Sequence, residues 1–300
     1  MILVAGATGM VGGEACRVLR GEGQRVRALV RATSKEEKVA ALRALGCEVV
    51  AGDLNDAGSL ARACAGVTGV VSTVSSMPFS WSPPSNTIDT VDRDGQRRLI
   101  DAAQQAGVRR FTVVTFSGNI DQAFPLRDAK RAVEKHLRES GTEWTILRPS
   151  FFSEVWLSPA VGFDARAGQA TIYGTGENPI SWISFLDVAR FAAASVSSAA
   201  ARNAVLELGG PEPLTPLQVV RIFEQASGRP FRVQHVPVEA LQQQLAGAPD
   251  DMLRSFTALM LAYAAGDPID MHATQASFGI ALRTVSEYAR GVLATAPAQG

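Results

Sequence analysis

Residues 2–12 read Ile-Leu-Val-Ala-Gly-Ala-Thr-Gly-Met-Val-Gly, a short apolar run that passes straight into Gly6-x-x-Gly9-x-x-Gly12. A strand, a tight turn and a helix opening, in that order, predict a βα unit whose turn cradles a dinucleotide pyrophosphate. Gly6 permits the turn, Gly9 lets the backbone approach the phosphates, and Gly12 lets helix and strand pack closely. The helix N-terminus adds N–H groups and a partial positive charge facing the anion. Thr8, Met10 and Val11 fill the rest of the cradle and count as cofactor contacts with the three glycines.

The pattern that follows supports this reading. Strand-like segments are expected near 2–6, 25–30, 47–51, 69–74, 110–116 and 143–148, and helices near 10–21, 35–45, 56–65, 86–106 and 126–140. Repeated strand–helix units predict an α/β fold, a Rossmann-type doubly wound parallel sheet, with a smaller C-terminal α/β lobe. Gly46 and Gly107 stand where helix C-caps should fall, and Asp56 suits an N-cap. Beyond Pro149 the rhythm changes, which divides the chain into 1–149, binding the dinucleotide, and 150–300, a smaller substrate-binding lobe. In that second part Ser181–Phe185 reads as a strand, with Asp187 capping an apolar helix to about Ser197. Ala204–Leu208 is a strand expected to return to the main sheet. Leu214–Ser227 reads as a helix, Phe231–Val236 as a strand, the remainder as mainly helical, and Thr295–Gly300 as a loose tail.

Bulk properties exclude several classes. With 46% hydrophobic residues the 300-residue chain can bury a sizeable core. Zero formal net charge gives no footprint for nucleic acid or an anionic membrane. The first strand begins at Ile2 and no run of about 18 apolar residues occurs, so neither a signal peptide nor a membrane span is expected. The three cysteines, Cys16, Cys47 and Cys64, have no metal-ligand spacing and read as buried free thiols of a cytoplasmic protein; no metal is expected.

Arg31 bears on which dinucleotide binds. An NAD-type site places a carboxylate at the end of the second strand for the ribose 2′-hydroxyl, whereas this chain has Arg-Ala-Leu-Val-Arg31 there. A guanidinium can bind a 2′-phosphate through two hydrogen bonds, so NADP(H) is preferred over NAD(H). Asp53 and Leu54, after the third strand, fall at the adenine edge, where Asp53 either accepts from the exocyclic amine or caps the next helix. After the fourth strand Thr73 and Ser75 lie toward the ribose and pyrophosphate.

Taken with Gly52-Asp-Leu54, Lys130-Arg-Ala-Val-Glu134, Ser140-Gly-Thr-Glu-Trp-Thr-Ile-Leu-Arg-Pro149 and Ile183-Ser-Phe-Leu-Asp-Val-Ala189, the glycine loop resembles the atypical short-chain dehydrogenase/reductase superfamily. Within it the chain looks like the NmrA-like group, with its quinone oxidoreductases, triphenylmethane-dye reductases and, further off, isoflavone-reductase-like enzymes. The matching pieces span residues 2 to 189. The resemblance implies a nicotinamide near Phe116 and Ser117, near Lys130, and near the loop of Pro149, Ser150, Phe151 and Phe152. It also implies that Lys130 binds the nicotinamide ribose; Lys130 and Ser117 are the catalytic candidates.

Dehydrogenases of that superfamily carry a tyrosine four residues before the lysine, as the proton donor. Here that position is Leu126, and Tyr173, Tyr263 and Tyr288 all lie in the second half. Reducing an isolated ketone makes a strongly basic alkoxide that needs an acid. Reducing a quinone gives a stabilised phenolate, and reducing a cationic dye needs no proton. The expected activity is therefore an NADPH-dependent reductase of quinone-like or conjugated aromatic acceptors. The alternative is a non-catalytic NADP(H)-binding regulator. Phe79, Trp81, Phe152 and Trp156 are the expected substrate contacts, with Phe163 a further candidate. His136 and Arg148 read as a surface side chain and a structural ion pair. The partner is a small aromatic molecule, not nucleic acid or membrane, with a homodimer left open.

Overall fold

The computed structural model describes residues 1–78 and 80–294; Phe79 and the expected tail Thr295–Gly300 lie outside the described residues. β1 (Ile2–Ala5) is buried along its whole length, as an interior parallel strand must be when both faces are covered. It pairs in parallel with β2 (Val26–Val30) on one side and with β4 (Gly69–Ser72) on the other. β3 (Glu48–Ala51) lies outside β2, while β5 (Arg110–Val114), β6 (Glu143–Pro149) and β9 (Ala204–Leu208) extend the sheet beyond β4. Among the described residues the strand order is β3-β2-β1-β4-β5-β6-β9. Order reverses between β1 and β4, and in open α/β sheets the crevice outside that switch point takes the ligand. Ala204–Leu208 does join the main sheet, as expected from its sequence.

Helices α1 (Met10–Gly21), α2 (Glu36–Ala44), α3 (Ala57–Cys64), α4 (Asp94–Gln105) and α5 (Pro125–Glu139) connect these strands. Asp56 caps α3, accepting from the Gly58 and Ser59 N–H groups, and the chain leaves α2 and α4 through Gly46 and Gly107. Leu3, Leu60, Leu99, Phe111, Leu137 and Ile146, all fully enclosed, build the core between sheet and helices. Each contributes about 1.5–3 kcal/mol by leaving water.

Two helical expectations change. Residues 86–106 do not form one α-helix: Ile88–Arg93 is a π-helical turn, opened by a Thr87–Thr90 capping box, and α4 follows it. The wider turn sets Asp92 in the interior, fully buried. Ser181–Phe185 is not a strand. Its residues bond to several separate segments, Ser181 to Asp267 and Gly210, and Ile183 to Phe151 and Ser153. α7 (Phe185–Ser195) then begins two residues before Asp187. Asp187 therefore sits inside its first turn, fully buried, and accepts from the Arg283 N–H at 2.8 Å instead of capping the helix.

The chain divides into two units. The first holds Met1–Phe116, Asp121–Arg148 and Val188–Leu206; the second holds Ser117–Ile120, Pro149–Asp187 and the residues from Glu207 onward. The second contains a small sheet of β7 (Phe163–Asp164), β8 (Gln169–Tyr173) and β10 (Arg232–Val236), in the order β10-β8-β7. It also contains α6 (Ser153–Trp156), α8 (Pro216–Ser227), α9 (Val238–Ala246), α10 (Asp251–Ala265), α11 (His272–Phe278) and α12 (Val285–Ala294). No described helix is long and apolar enough to cross a membrane.

The buried stripe of α5 explains much of the first unit. Leu126, Ala129, Lys130, Val133, Glu134 and Leu137 recur at helical spacing, so two charged residues share the core-facing side with four apolar ones. Glu134 is satisfied there by Thr115 Oγ1 at 2.8 Å, Arg131 Nη1 at 2.7 Å and Arg148, the structural ion pair expected from sequence. Burial alone pushes its carboxyl upward, but the Arg148 hydrogen bond, the Arg131 charge and Thr115 together hold it below its ordinary value. A carboxylate depressed in the fold stabilises above its unfolded pKa of about 4.3 and loses that contribution as pH falls through the lowered value. Glu134→Gln is expected to lower stability at neutral pH and to flatten the acid limb of a urea-midpoint profile.

Candidate functional site

The turn after β1 and the chain leaving β4 converge at the switch point. Gly6 has φ +81°, and a Cβ there would lie 2.6 Å from Thr73 Oγ1. At Gly12 a Cβ would lie 2.2 Å from the Gly6 carbonyl oxygen, so α1 rests on the loop with no room for a side chain. Gly9 differs: a Cβ would meet the Gly6 oxygen at 3.2 Å and nothing nearer. Gly9 stands at the N-cap of α1, which has no side-chain cap and no acidic residue in its first turn. Polarity, space and backbone donors there fit a dinucleotide pyrophosphate. Val11 is buried and Met10 exposed beside it, and the Thr8 carbonyl accepts from Lys38 Nζ at 3.0 Å. That brings a further cation to the loop, which sequence reasoning missed because Lys38 is thirty positions away.

Arg31 is exposed at the end of β2. Its backbone engages Ser34, whose hydroxyl takes the Arg31 N–H at 3.1 Å, while its guanidinium makes no ion pair among the described residues. Asp53 uses Oδ1 to accept from the Asn55 N–H at 2.8 Å, a local turn, and Asp56 does the helix capping. Leu54 is buried against Gly95 of α4. The Thr73 N–H and hydroxyl both donate to the Ala5 carbonyl, at 3.0 and 3.2 Å, which ties β4 to the start of the cradle. Ser75 Oγ accepts from the Met77 N–H at 3.3 Å.

Lys130 is 3% exposed, not a solvent lysine. Its Nζ donates to the Val74 carbonyl at 3.0 Å and lies 2.8 Å from Asp92 Oδ1. The approach is off the hydrogen-bonding direction of that oxygen, so the pairing is electrostatic. The other oxygen, Oδ2, accepts from the N–H and hydroxyl of Ser76, at 2.9 and 2.5 Å. Gln96 adds a bond to the same Val74 carbonyl at 3.1 Å and takes the Ser72 hydroxyl at 2.7 Å. The strand end, the π-helical turn and α5 are thus locked together by one buried polar network. Asp92, Ser76 and Gln96 escaped sequence reasoning. Their one sequence signal, Asp92 and Gln96 spaced four apart, is weak.

Leu126, where the tyrosine is expected, is 5% exposed. The tyrosines elsewhere are poor acids. Burial raises Tyr173 and Tyr263, and burial with Glu154 pushes Tyr288 up to about 12. Ser117, in the second unit, is fully buried, and its hydroxyl donates to Asp267 Oδ1 at 2.7 Å. Its proton is thereby committed to a carboxylate. Phe116, in the first unit, stacks on Phe124 at 5.9 Å under the Arg131 guanidinium.

The aromatic candidates separate. Phe151 and Trp156 are buried, edge to face at 5.0 Å, and both meet Tyr263, with Phe256 stacked on Trp156 at 5.9 Å. Their rings build the core of the second unit. Phe163 is likewise packed on Phe223 at 4.8 Å. Pro149, whose carbonyl takes the Ser117 N–H at 2.9 Å, is buried, while Phe152 and Trp81 are half-buried. His136 is less free than expected, reaching Asp101 at 2.6 Å. Among the described residues no cluster of His, Cys, Asp or Glu is arranged to hold a metal ion.

Known proteins resemble this chain over most of its length. It is 30% identical over 249 residues to the NAD(P)H azoreductase of Xenophilus azovorans, spanning 82% of this chain and 81% of that protein. It is 31% identical over 244 residues to the photosystem II assembly factor Ycf39 of Cyanophora paradoxa, spanning 80% and 73%. The NADPH-dependent quinone oxidoreductase QOR2 of Escherichia coli, solved with NADPH, shares its fold with a TM-score of 0.80 at 24% identity, over 98% of this chain and 100% of that one. The model of the NmrA-like family matches residues 1–289, and the chain belongs to that family.

Proposed function

We propose that this protein is an NADPH-dependent reductase that passes hydride to a quinone-like or other conjugated aromatic acceptor without a tyrosine general acid. The observation that carries the reading is a complete cradle at the switch point combined with a buried leucine, Leu126, where the acid would stand. The azoreductase relative and the quinone oxidoreductase neighbour support conjugated acceptors, as their names state.

NADPH, when bound, supplies the hydride. The chain's own residues bind and orient. The Gly6–Gly12 loop and the open end of α1 hold the pyrophosphate, with Thr73 closing the loop from β4. Arg31 meets the 2′-phosphate with a guanidinium that no carboxylate among the described residues occupies. Lys130 spends one N–H on Val74 and faces Asp92, which leaves a third donor for a ribose hydroxyl. Asp92, 2.8 Å from the Lys130 ammonium, fixes it in place, so Lys130 serves to position the ribose. Because hydride addition to a quinone leaves a stabilised phenolate, water can protonate the product. Turnover of a quinone is therefore expected to be flat through neutral pH, with no limb from a protein acid.

Steady-state NADPH consumption against quinones, azo dyes, triphenylmethane dyes and simple ketones tests the reading. Turnover of the conjugated acceptors with none of the ketones is expected. The similarity to an assembly factor favours a second reading, a non-catalytic NADP(H)-binding protein; tight cofactor binding with no turnover of any acceptor would establish that instead. Arg31→Asp is expected to weaken NADPH binding by about ten- to a hundredfold, the worth of a charge-assisted pair, and to favour NADH. Titration of both cofactors by nicotinamide fluorescence checks this.

A further inference from the structure

A cavity of about 420 Å³ opens in the second unit, lined by none of the residues assigned above to the dinucleotide. Its volume falls in the range of small-ligand sites. Residues 211–213 and 268–272 wall it, with Gln275 of α11 beside them. Both walls hang on the irregular stretch 180–182. The Gly210 N–H bonds the Ser181 carbonyl at 3.2 Å, and Ile180 and Leu214 exchange two backbone bonds at 3.0 and 2.9 Å. On the other side the Ser181 N–H bonds the Asp267 carbonyl at 3.0 Å, and Ser181 Oγ takes the Ile269 N–H at 2.8 Å. Met271 is pinned through its sulfur, which takes the Gly209 N–H at 3.0 Å. The stretch whose composition suggests a strand thus holds the two walls, and the cavity is preformed.

The lining is rich in hydrogen-bond acceptors and poor in donors. Pro211, Pro213 and Pro268 have no N–H to offer. The N–H groups of Ile269, His272 and Gln275 are already spent, on Ser181, on Asp270 and on the Met271 carbonyl. Among the described residues no lysine or arginine lines the cavity, while Asp270 brings an exposed carboxylate. The His272 N–H at 2.9 Å, and then its ring nitrogen at 2.6 Å, hold that carboxyl below its ordinary range. Both contacts use Oδ1, which leaves Oδ2 for a ligand. A second carboxylate stands at the start of the same wall. Asp267 is fully buried, gives Oδ1 to Ser117 and Asn119, and keeps an Oδ2 that has no hydrogen-bond partner. The prolines, Ile269 and Met271 supply apolar surface against which an aromatic ring can leave water. We propose that this cavity is a binding site for a flat aromatic cation, with Asp270 as its charge partner and the prolines against its ring. An aromatic anion would meet the Asp270 carboxylate and a proline wall instead of donors. The site does not require hydride transfer and stands apart from the reductase reading.

Fluorescence titration of the full chain at neutral pH, without NADPH, tests this with three tricyclic probes of similar size. They are proflavine, a cation, acridine, which is neutral, and anthracene-9-carboxylate, an anion. The chain has zero formal net charge, so bulk attraction does not set the order. Proflavine is expected to saturate a single site and to bind about tenfold or more tighter than anthracene-9-carboxylate, the worth of a charge-assisted contact, with acridine between them. Asp270→Lys is expected to reverse the order of cation and anion. Gln275→Trp is expected to fill the cavity and abolish proflavine binding. NADPH affinity should be unchanged in both variants, and circular dichroism checks that both fold. Equal affinities for cation and anion on the unmodified chain, or proflavine binding that survives both substitutions, would overturn the proposal. The three probes are compared on the unmodified chain, so a variant that fails to fold does not blunt the test. Because NADPH is left out, a chain that reduces no acceptor leaves the result intact.

Discussion

A Gly12→Ala variant is expected to lose tight NADPH binding, with a Kd raised by roughly a hundredfold or more, and to unfold at lower urea. The added carbon would lie 2.2 Å from the Gly6 carbonyl oxygen and 2.6 Å from its carbon. Both are backbone atoms of the turn, so no flexible side chain can move aside. α1 must lift from β1, which costs about 1–3 kcal/mol by overpacking and displaces the donors that face the pyrophosphate. Each 1.4 kcal/mol lost from binding is about tenfold in Kd. Gly9→Ala supplies the contrast. There the new carbon meets little but the Gly6 oxygen, at 3.2 Å, so stability should hold while binding falls. Fluorescence titration with NADPH and urea midpoints on the two variants separate the packing glycine from the ligand-facing one.

Lys130→Met is expected to cost about 3–5 kcal/mol of stability, because it leaves the Asp92 carboxylate buried with no cation. Asp92 is fully enclosed, and its partners after the change would be the two Ser76 donors alone. Adding Asp92→Asn should recover a substantial part of that loss by removing the stranded charge. A merely solvated lysine would show neither effect. Cofactor affinity should fall in both variants, since neither restores the ammonium. Urea denaturation followed by circular dichroism, with NADPH titration on the same samples, reads both quantities.

Much of this architecture is written locally in the chain. The Gly6–Gly12 spacing, the Asp56 cap and the turns at Gly46 and Gly107 are short-range features, and their steric causes act within a few residues. The Arg148 pair was also legible, because a charge beside Pro149 at a strand end has few ways to be satisfied. What escaped was set at long range. Asp92 reaches the interior because a π-helical turn replaces the first turn of α-helix, and helical periodicity cannot signal that. Ser181–Ser184 looks like a strand by composition, yet its residues bond to different segments in turn. Phe151 and Trp156 pack with Tyr263, about a hundred residues later in the chain, a long-range aromatic core that clustering within one loop cannot signal. Leu126 was the most informative single position, since the lack of a hydroxyl there needs no structure to be recognised.

Hydride delivery is the central claim, and isotope transfer tests it most directly. The protein would be incubated with NADPH carrying deuterium at the transferable position of the nicotinamide and a quinone-type or azo acceptor whose reduced product holds the label on carbon or is read by its kinetic isotope effect. Deuterium leaving the cofactor at the rate of acceptor reduction, with a primary isotope effect on turnover and no dependence on pH through neutrality, is the expected result. Tight NADPH binding with the deuterium retained on the cofactor across every acceptor would contradict it.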